Sequence, residues 1–168
     1  CATVQSDVVI EADIEEDPDA ENLPVQDFTG VITRVQSLTP TIKGLWIQLD
    51  TDNLHFQAGQ YINLELPEGR GSRAFSIASQ PSATELELNI RLVPGGQGTT
   101  YIHESLQAGD RVKLSGPYGR FFVRKSAQVP LIFMAGGSGL SSPRSMIMDL
   151  LAEDCSLPIT LVYGQRSV

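Results

Sequence analysis

Apolar and polar residues alternate along much of the chain between residues 26 and 125. The runs FTGVITRVQSL, TIKGLWIQLD, QYINLEL, RAFSIAS, ELELNIRLV and RVKLSG are short and rich in β-branched and aromatic residues. A period of two marks half-buried strands. Turn-forming segments separate them: LTP, FQAGQ, PEGRGS, QPSAT and QAGD. Six strands at this spacing predict a small antiparallel barrel or sandwich. One helical pattern interrupts them, TTYIHESLQAG at 99–109, with Ile102 and Leu106 one turn apart. Thr99 or Thr100 is its candidate cap and Gly109 its candidate stop.

After Pro130 the pattern changes. LIFMA (131–135) is continuously apolar and GGSGLSSP (136–143) is a glycine-rich turn. RSMIMDLLAED (144–154) has helical spacing, with Met146, Ile147, Leu150 and Leu151 on one face, and PITLVYG (158–164) is apolar again. Strand, turn, helix, strand is a βαβ unit, and its unbroken apolar strands predict a parallel sheet covered on both faces.

The net charge of −8 is uneven. EADIEEDPDAE (11–21) holds seven acids and no base, leaving 13 acids against 12 bases elsewhere. Such a run predicts a solvated linker, with a docking surface for a basic partner as the alternative. No basic stripe exists, which argues against nucleic-acid binding. No apolar run has the roughly 18 residues of a membrane span, and no leader pattern is present. Cys1 and Cys155 are too far apart in sequence for a disulfide framework or a zinc spacing, which favours a cytoplasmic setting. Both ends of the chain look cut, as in a piece of a longer protein. His55 and His103 are isolated, Trp46 is expected in the core, and Cys155 is an incidental thiol.

Two glycine-rich turns open helices, where backbone N–H groups and the positive helix end can hold an anion. In AGGSGLSSP the glycines are 136, 137 and 139. The segment lacks the lysine of a Walker loop, and Leu140 stands where a nucleophile elbow needs glycine. In PGGQGTTYIHESL, Gly95, Gly96 and Gly98 precede the helix. A tight turn that binds nothing is the plain alternative for each. Arg73, on a strand, could bring a guanidinium beside the second turn. A planar fork with a helix start makes a diphosphate clamp. Phe75 could pack on a planar ring and Ser76 could hydrogen-bond a ring nitrogen. Strand alternation turns Arg73 and Phe75 one way and puts Ser76 on the other face or at a bend.

These segments resemble the ferredoxin–NADP reductase superfamily. RAFS is similar to its flavin motif R-x-[YF]-S, and GQGTTYI (96–102) to its second flavin-diphosphate motif. GDRVKLSGPYGRF (109–121) resembles the segment that closes the flavin barrel. GGSG with Pro143 is similar to the nicotinamide-side turn, and YGQR (163–166) to the later YG-x-R. Within the superfamily the chain most resembles reductase components of multicomponent phenol hydroxylases.

The resemblance implies a Greek-key FAD-binding antiparallel β-barrel with one capping helix, then the start of an α/β nucleotide-binding domain. Residues 1–24 would be the tail of a 2Fe-2S ferredoxin domain plus the acidic linker. Residues 25–127 would be the barrel, and 128–168 the first βαβ of an NAD(P) domain, truncated. It implies that Arg73 contacts the FAD diphosphate, Phe75 packs on the isoalloxazine and Ser76 faces its N5 edge. Gly96, Gln97, Gly98 and Thr99 would cradle the diphosphate. Gly136, Gly137, Ser138, Gly139 and Pro143 would form the nicotinamide-nucleotide turn, and Arg166 would reach the adenosine side. Phe75 departs from the commoner tyrosine and loses a hydroxyl that Tyr61 or Tyr118 could replace. The implied activity is NADH-dependent reduction of FAD, with electrons passed through a 2Fe-2S cluster to an oxygenase that hydroxylates phenol or similar aromatics. No side chain acts as acid or base, and the cluster ligands lie outside this chain, Cys1 not counted among them. Two alternatives remain: a free flavin or quinone reductase, and a non-catalytic interaction barrel.

Overall fold

The computed structural model describes residues 6–9, 17–51, 54–67 and 69–165. Cys1, most of the acidic run and Arg166 lie outside the described residues.

All six alternating runs form strands: β1 (Gln26–Thr39), β2 (Ile42–Leu49), β3 (Tyr61–Glu65), β4 (Ser72–Ser76), β5 (Leu86–Arg91) and β6 (Arg111–Tyr118). They form one antiparallel sheet in the order β4-β3-β6-β1-β2-β5. A bridge between Ile77 and Leu88 joins its two ends and closes the barrel. Strands β3, β4 and β5 follow one another, and β6 returns to lie beside β3, so the connection is a Greek key. Breaks in register at Ile32/Arg34 and Ser37/Thr39 let the long β1 bend.

Alternation puts Ile32, Leu45, Ile47, Ile62, Leu64, Ile77, Leu88 and Ile90 inside, each almost wholly buried. Burying such a side chain contributes about 1.5–3 kcal/mol, so the closed barrel is the main source of stability. Helix α1 (Gln97–Glu104) plugs one end with Ile102, and Leu106 follows it into the core. The helix starts earlier than its threonines suggest. Gly96 is the cap residue, and the Thr99 hydroxyl, inside the first turn, accepts from the Val93 N–H at 3.0 Å. The helix ends at Ser105, while Gly109 takes φ +95° in the turn before β6.

Trp46 is not a core residue. It faces outward, half-buried, under the Arg34 guanidinium 3.5 Å from its ring centre. His103 Nε2 donates to the Ile90 carbonyl, 2.9 Å away, and His55 is exposed.

The second unit is β7 (Leu131–Gly136), a 3₁₀ turn at Gly137–Leu140, α2 (Ser141–Ala152) and β8 (Ile159–Gly164), with β7 and β8 parallel. Helix α2 begins three residues before the predicted start. Met146 and Leu150 face a small core with Ala58 and Phe133, but Leu151 is exposed. One sheet face is open among the described residues: Ile132 and Met134 are 71% and 77% exposed. The prediction of a sheet covered on both faces therefore does not hold within this chain.

The end of the acidic run is not freely solvated. Asp17 pairs with Arg124 at 2.9 Å, and Asp19 accepts from the Ser126 N–H at 3.0 Å. The Glu21 N–H donates to Gln57 Oε1 at 3.2 Å. This strap walls a cleft of about 530 Å³ at the seam between barrel and α2. Lys125, Asp149 and Glu153 stand on its far side. Burial pushes the Asp149 carboxyl up, against the pull of Lys125, and the nearby Glu153 and Glu21 push it further. Burial opposes the charge on Lys125, but Glu153 and Asp149 outweigh it and hold its pKa above the usual 10.5.

Candidate functional site: a diphosphate cradle and a nucleotide turn

Strand β4 puts Arg73 opposite Leu64 and Phe75 opposite Ile62, both partners being core residues. Directly paired residues in an antiparallel sheet share a face. Arg73 and Phe75 therefore leave from the inner face and Ser76 from the outer one, as the alternation predicts. Phe75 is half-buried and packs on the barrel core. Arg73 sits beyond the core, exposed, at the barrel end that α1 closes.

There the guanidinium stem crosses the start of α1. A Cβ added at Gly98 would lie 3.4 Å from Arg73 Cγ and Nε and 2.7 Å from Leu66 Cδ1. Position 98 has no room for a side chain against Leu66, and the Arg73 stem passes it at van der Waals distance. Arg73 Nη1 donates to the Ser72 and Arg70 carbonyls at 2.8 and 3.2 Å, which fixes the stem. No side chain caps α1. A Cβ at Gly96 would crowd the Val93 carbonyl and Thr99 Oγ1 at 3.1 Å, so the chain turns tightly into the helix. Exposed Gln97 and half-buried Thr99 complete this first turn. An arginine across an uncapped helix start fits a diphosphate: the helix offers N–H groups and partial positive charge, the arginine full charge.

The outer face carries a row the sequence motifs do not include. Ser76 pairs with Tyr61, and Tyr61 with Tyr118, so the three stand abreast across β4, β3 and β6. The tyrosine rings stack with centres 5.5 Å apart, 23° from parallel. Tyr118 shares a hydrogen bond with Ser115 at 3.0 Å. Gly119, with φ +94°, leaves room for Tyr61: a Cβ there would lie 3.1 Å from its ring. The glycine of SGPYG is the sequence signal for this packing. Both tyrosines therefore share the face of Ser76, opposite to that of Phe75.

The second turn lies at the carboxyl ends of β7 and β8, where open α/β sheets bind ligands. Gly136 is extended and pairs with Gly164, and Gly137 takes φ +53°. A Cβ at Gly139 would meet nothing within 4 Å, so the backbone stands open to solvent. The Tyr163 hydroxyl donates to the Gly137 carbonyl at 3.3 Å, and Ser141 Oγ to the Ser138 carbonyl at 2.9 Å. Pro143 falls in the first turn of α2, where a missing N–H costs nothing. The sequence therefore places the turn correctly, while Arg166 is beyond the described residues.

Residues 30–123, more than half of the chain, match the oxidoreductase FAD-binding domain family. The chain belongs to this family. As an oxidoreductase FAD-binding domain it has close relatives. It is 56% identical over 168 residues to the phenol 2-monooxygenase reductase component DmpP of Pseudomonas sp. (strain CF600), covering 99% of this chain and 47% of that protein. It is 54% identical to the phenol hydroxylase P5 protein of Acinetobacter pittii (strain PHEA-2), over 100% of this chain and 48% of that protein. The chain thus spans about half the length of the curated relatives it matches. Its structure is similar to the Amycolatopsis cytochrome P450 reductase GcoB, with TM-score 0.80, 30% identity, and coverage of 88% of this chain and 45% of that one. Phthalate dioxygenase reductase shares the fold, with TM-score 0.75 and 23% identity over 83% of this chain and 44% of its own. Among the described residues no cluster of histidine, cysteine or carboxylate side chains is arranged to hold a metal ion. Among the described residues no helix is long and apolar enough to cross a membrane.

Proposed function

We propose that this chain is the FAD-binding part and the beginning of the nucleotide-binding part of an NADH-dependent flavoprotein reductase. In the whole protein, electrons would go through a 2Fe-2S cluster to an oxygenase that hydroxylates phenol or a similar aromatic. The observation that supports this best is the Arg73 stem laid across Gly98 at the uncapped start of α1. The identity to phenol hydroxylase reductase components supports the choice of partner.

Arg73 and the backbone of Gly96, Gln97, Gly98 and Thr99 hold the diphosphate of FAD. Phe75 and Ser76, next to each other on β4, would take up the ring system. Ser76 offers a hydroxyl to the N5 edge and Phe75 an apolar surface. FAD held by these residues would supply a hydride acceptor for NADH and a one-electron donor. The protein orients the two nucleotides and keeps water from between them, with no acid or base of its own. Gly136, Gly137, Ser138, Gly139 and Pro143 form the NADH turn, with Arg166 toward the adenosine. Residues 1–24 are the tail of a ferredoxin domain with its linker, 25–127 the barrel, and 128–168 the first βαβ. The open faces of β7 and β8 suit a sheet continued by further chain.

The test is the visible spectrum of the purified protein beside that of Arg73→Glu. A flavin spectrum in the parent and at least tenfold weaker FAD binding in the variant are expected. A folded parent that takes up no added FAD would sink the reading.

A further inference from the structure

Residues 78 and 79 end the same RAFSIAS run that carries Arg73 and Ser76, and they hold the other domain. Arg144, just past Pro143 in α2, donates from Nη1 to the Ala78 carbonyl. The same Nη1 lies 2.9 Å from Glu87 Oε2. Ser145, wholly buried, donates from Oγ to the Ser79 carbonyl at 2.6 Å. Glu87 is fixed in turn: its N–H donates to Ser79 Oγ at 3.1 Å, and its carbonyl accepts from the Ala78 N–H at 2.7 Å. Glu87 is only 7% exposed, on the outer side of β5.

A buried carboxylate paired with arginine is a poor way to gain stability, because an apolar pair of the same shape does as well or better. What it adds is geometry, since both charges lose their partners if the two surfaces slide. The acceptors lie two and three residues beyond Ser76, roughly 7–10 Å of strand. The donors lie within about two helical turns of the Gly137–Leu140 turn. We propose that Arg144 and Glu87 are positioning residues: with Ser145 they latch α2 to the flavin strand and set the distance between the two nucleotide sites. This rests on the FAD and NADH reading above. A displacement of about 1 Å at the reacting atoms can cost a hundredfold in rate, so a latch this close to both sites acts on transfer more than on binding.

The test uses the complete FAD-loaded reductase with Arg144→Met, Arg144→Lys, Glu87→Gln and the Met/Gln double variant. Hydrogen exchange is followed at residues 77–80 and 141–147, and flavin reduction by NADH in rapid mixing. In Arg144→Met those amides are expected to exchange about tenfold faster, with β1 and β2 unchanged. The limiting rate of reduction should fall about tenfold or more, while the half-saturating NADH concentration and the flavin spectrum stay near the parent's. Arg144→Lys, which keeps the charge but not the planar fork, should fall between. The double variant should be no slower than Arg144→Met, because the two side chains act as one pair. Unchanged exchange, or an unchanged limiting rate, overturns the proposal. So does loss of FAD in step with rate in both Arg144 variants, since the pair would then hold the barrel itself. A parent that NADH does not reduce would refute the functional reading instead. The exchange result still decides whether the latch exists.

Discussion

At the scale of single residues, the site depends on one missing side chain. Gly98 lets the start of α1 lie against Leu66, beside the Arg73 stem. Gly98→Ala would put a methyl 2.7 Å from Leu66 Cδ1 and 3.4 Å from the Arg73 stem. Leu66 must then give way, and the helix start moves relative to the Arg73 stem. We expect FAD affinity to fall about tenfold or more by flavin-fluorescence titration, with far-ultraviolet circular dichroism unchanged. Undiminished affinity would mean that the stem need not lie there. Arg73 and Gly98 were legible in the sequence as motif members, and so was the nearness of Arg73 to the second turn, but not the fit of position 98 against Leu66. The Tyr61–Tyr118 stack was illegible because it joins residues far apart in the chain. Trp46 was misread because a strand offers two faces, and the Arg34 guanidinium shields the outward one.

Among the elements, all six barrel strands could be read from their period, because each buries one face in the same core. Helix α1 was displaced because a tight glycine turn, rather than a threonine hydroxyl, starts it. Helix α2 tests the electrostatics of the seam. Asp149 has a raised pKa, chiefly from burial, so the folded state binds its proton more tightly than the unfolded chain does. Stability therefore falls as pH climbs from the ordinary 3.8 through the raised value. Asp149→Asn removes that slope. In urea titrations between about pH 4 and 7, the parent should lose stability relative to the variant as pH rises. Lys125 works at the other end. Its raised pKa gives stability that is full below 10.5 and is lost as pH passes the folded value. Parallel parent and variant curves would mean that Asp149 titrates normally.

For the molecule as a whole, the sequence marks a barrel, a βαβ unit and an acidic segment, but not how they meet. The seam is made by contacts far apart in the chain: Arg144 to Ala78, Asp17 to Arg124, Asp19 to Ser126. Arg144, Asp17, Asp19 and Arg124 each read locally as an ordinary surface charge. The strap is testable as a unit. With Asp17→Asn and Asp19→Asn together, limited proteolysis should cut between residues 17 and 25 several-fold faster, with the barrel resistant. An unchanged cutting rate would show that the two carboxylates do not hold the strap.

The strap also alters the geometry of whatever lies upstream. Strand β1 begins at Gln26, yet the polypeptide is already pinned at Asp17 and Asp19. A module carried on the N-terminal side is therefore leashed from the seam between barrel and α2, not from the mouth of β1. Nine residues of slack are withdrawn, roughly 30 Å of maximal reach. A shorter leash confines its end to a smaller volume and raises its effective concentration there. Releasing Asp17 and Asp19 would thus lengthen the tether without adding a residue.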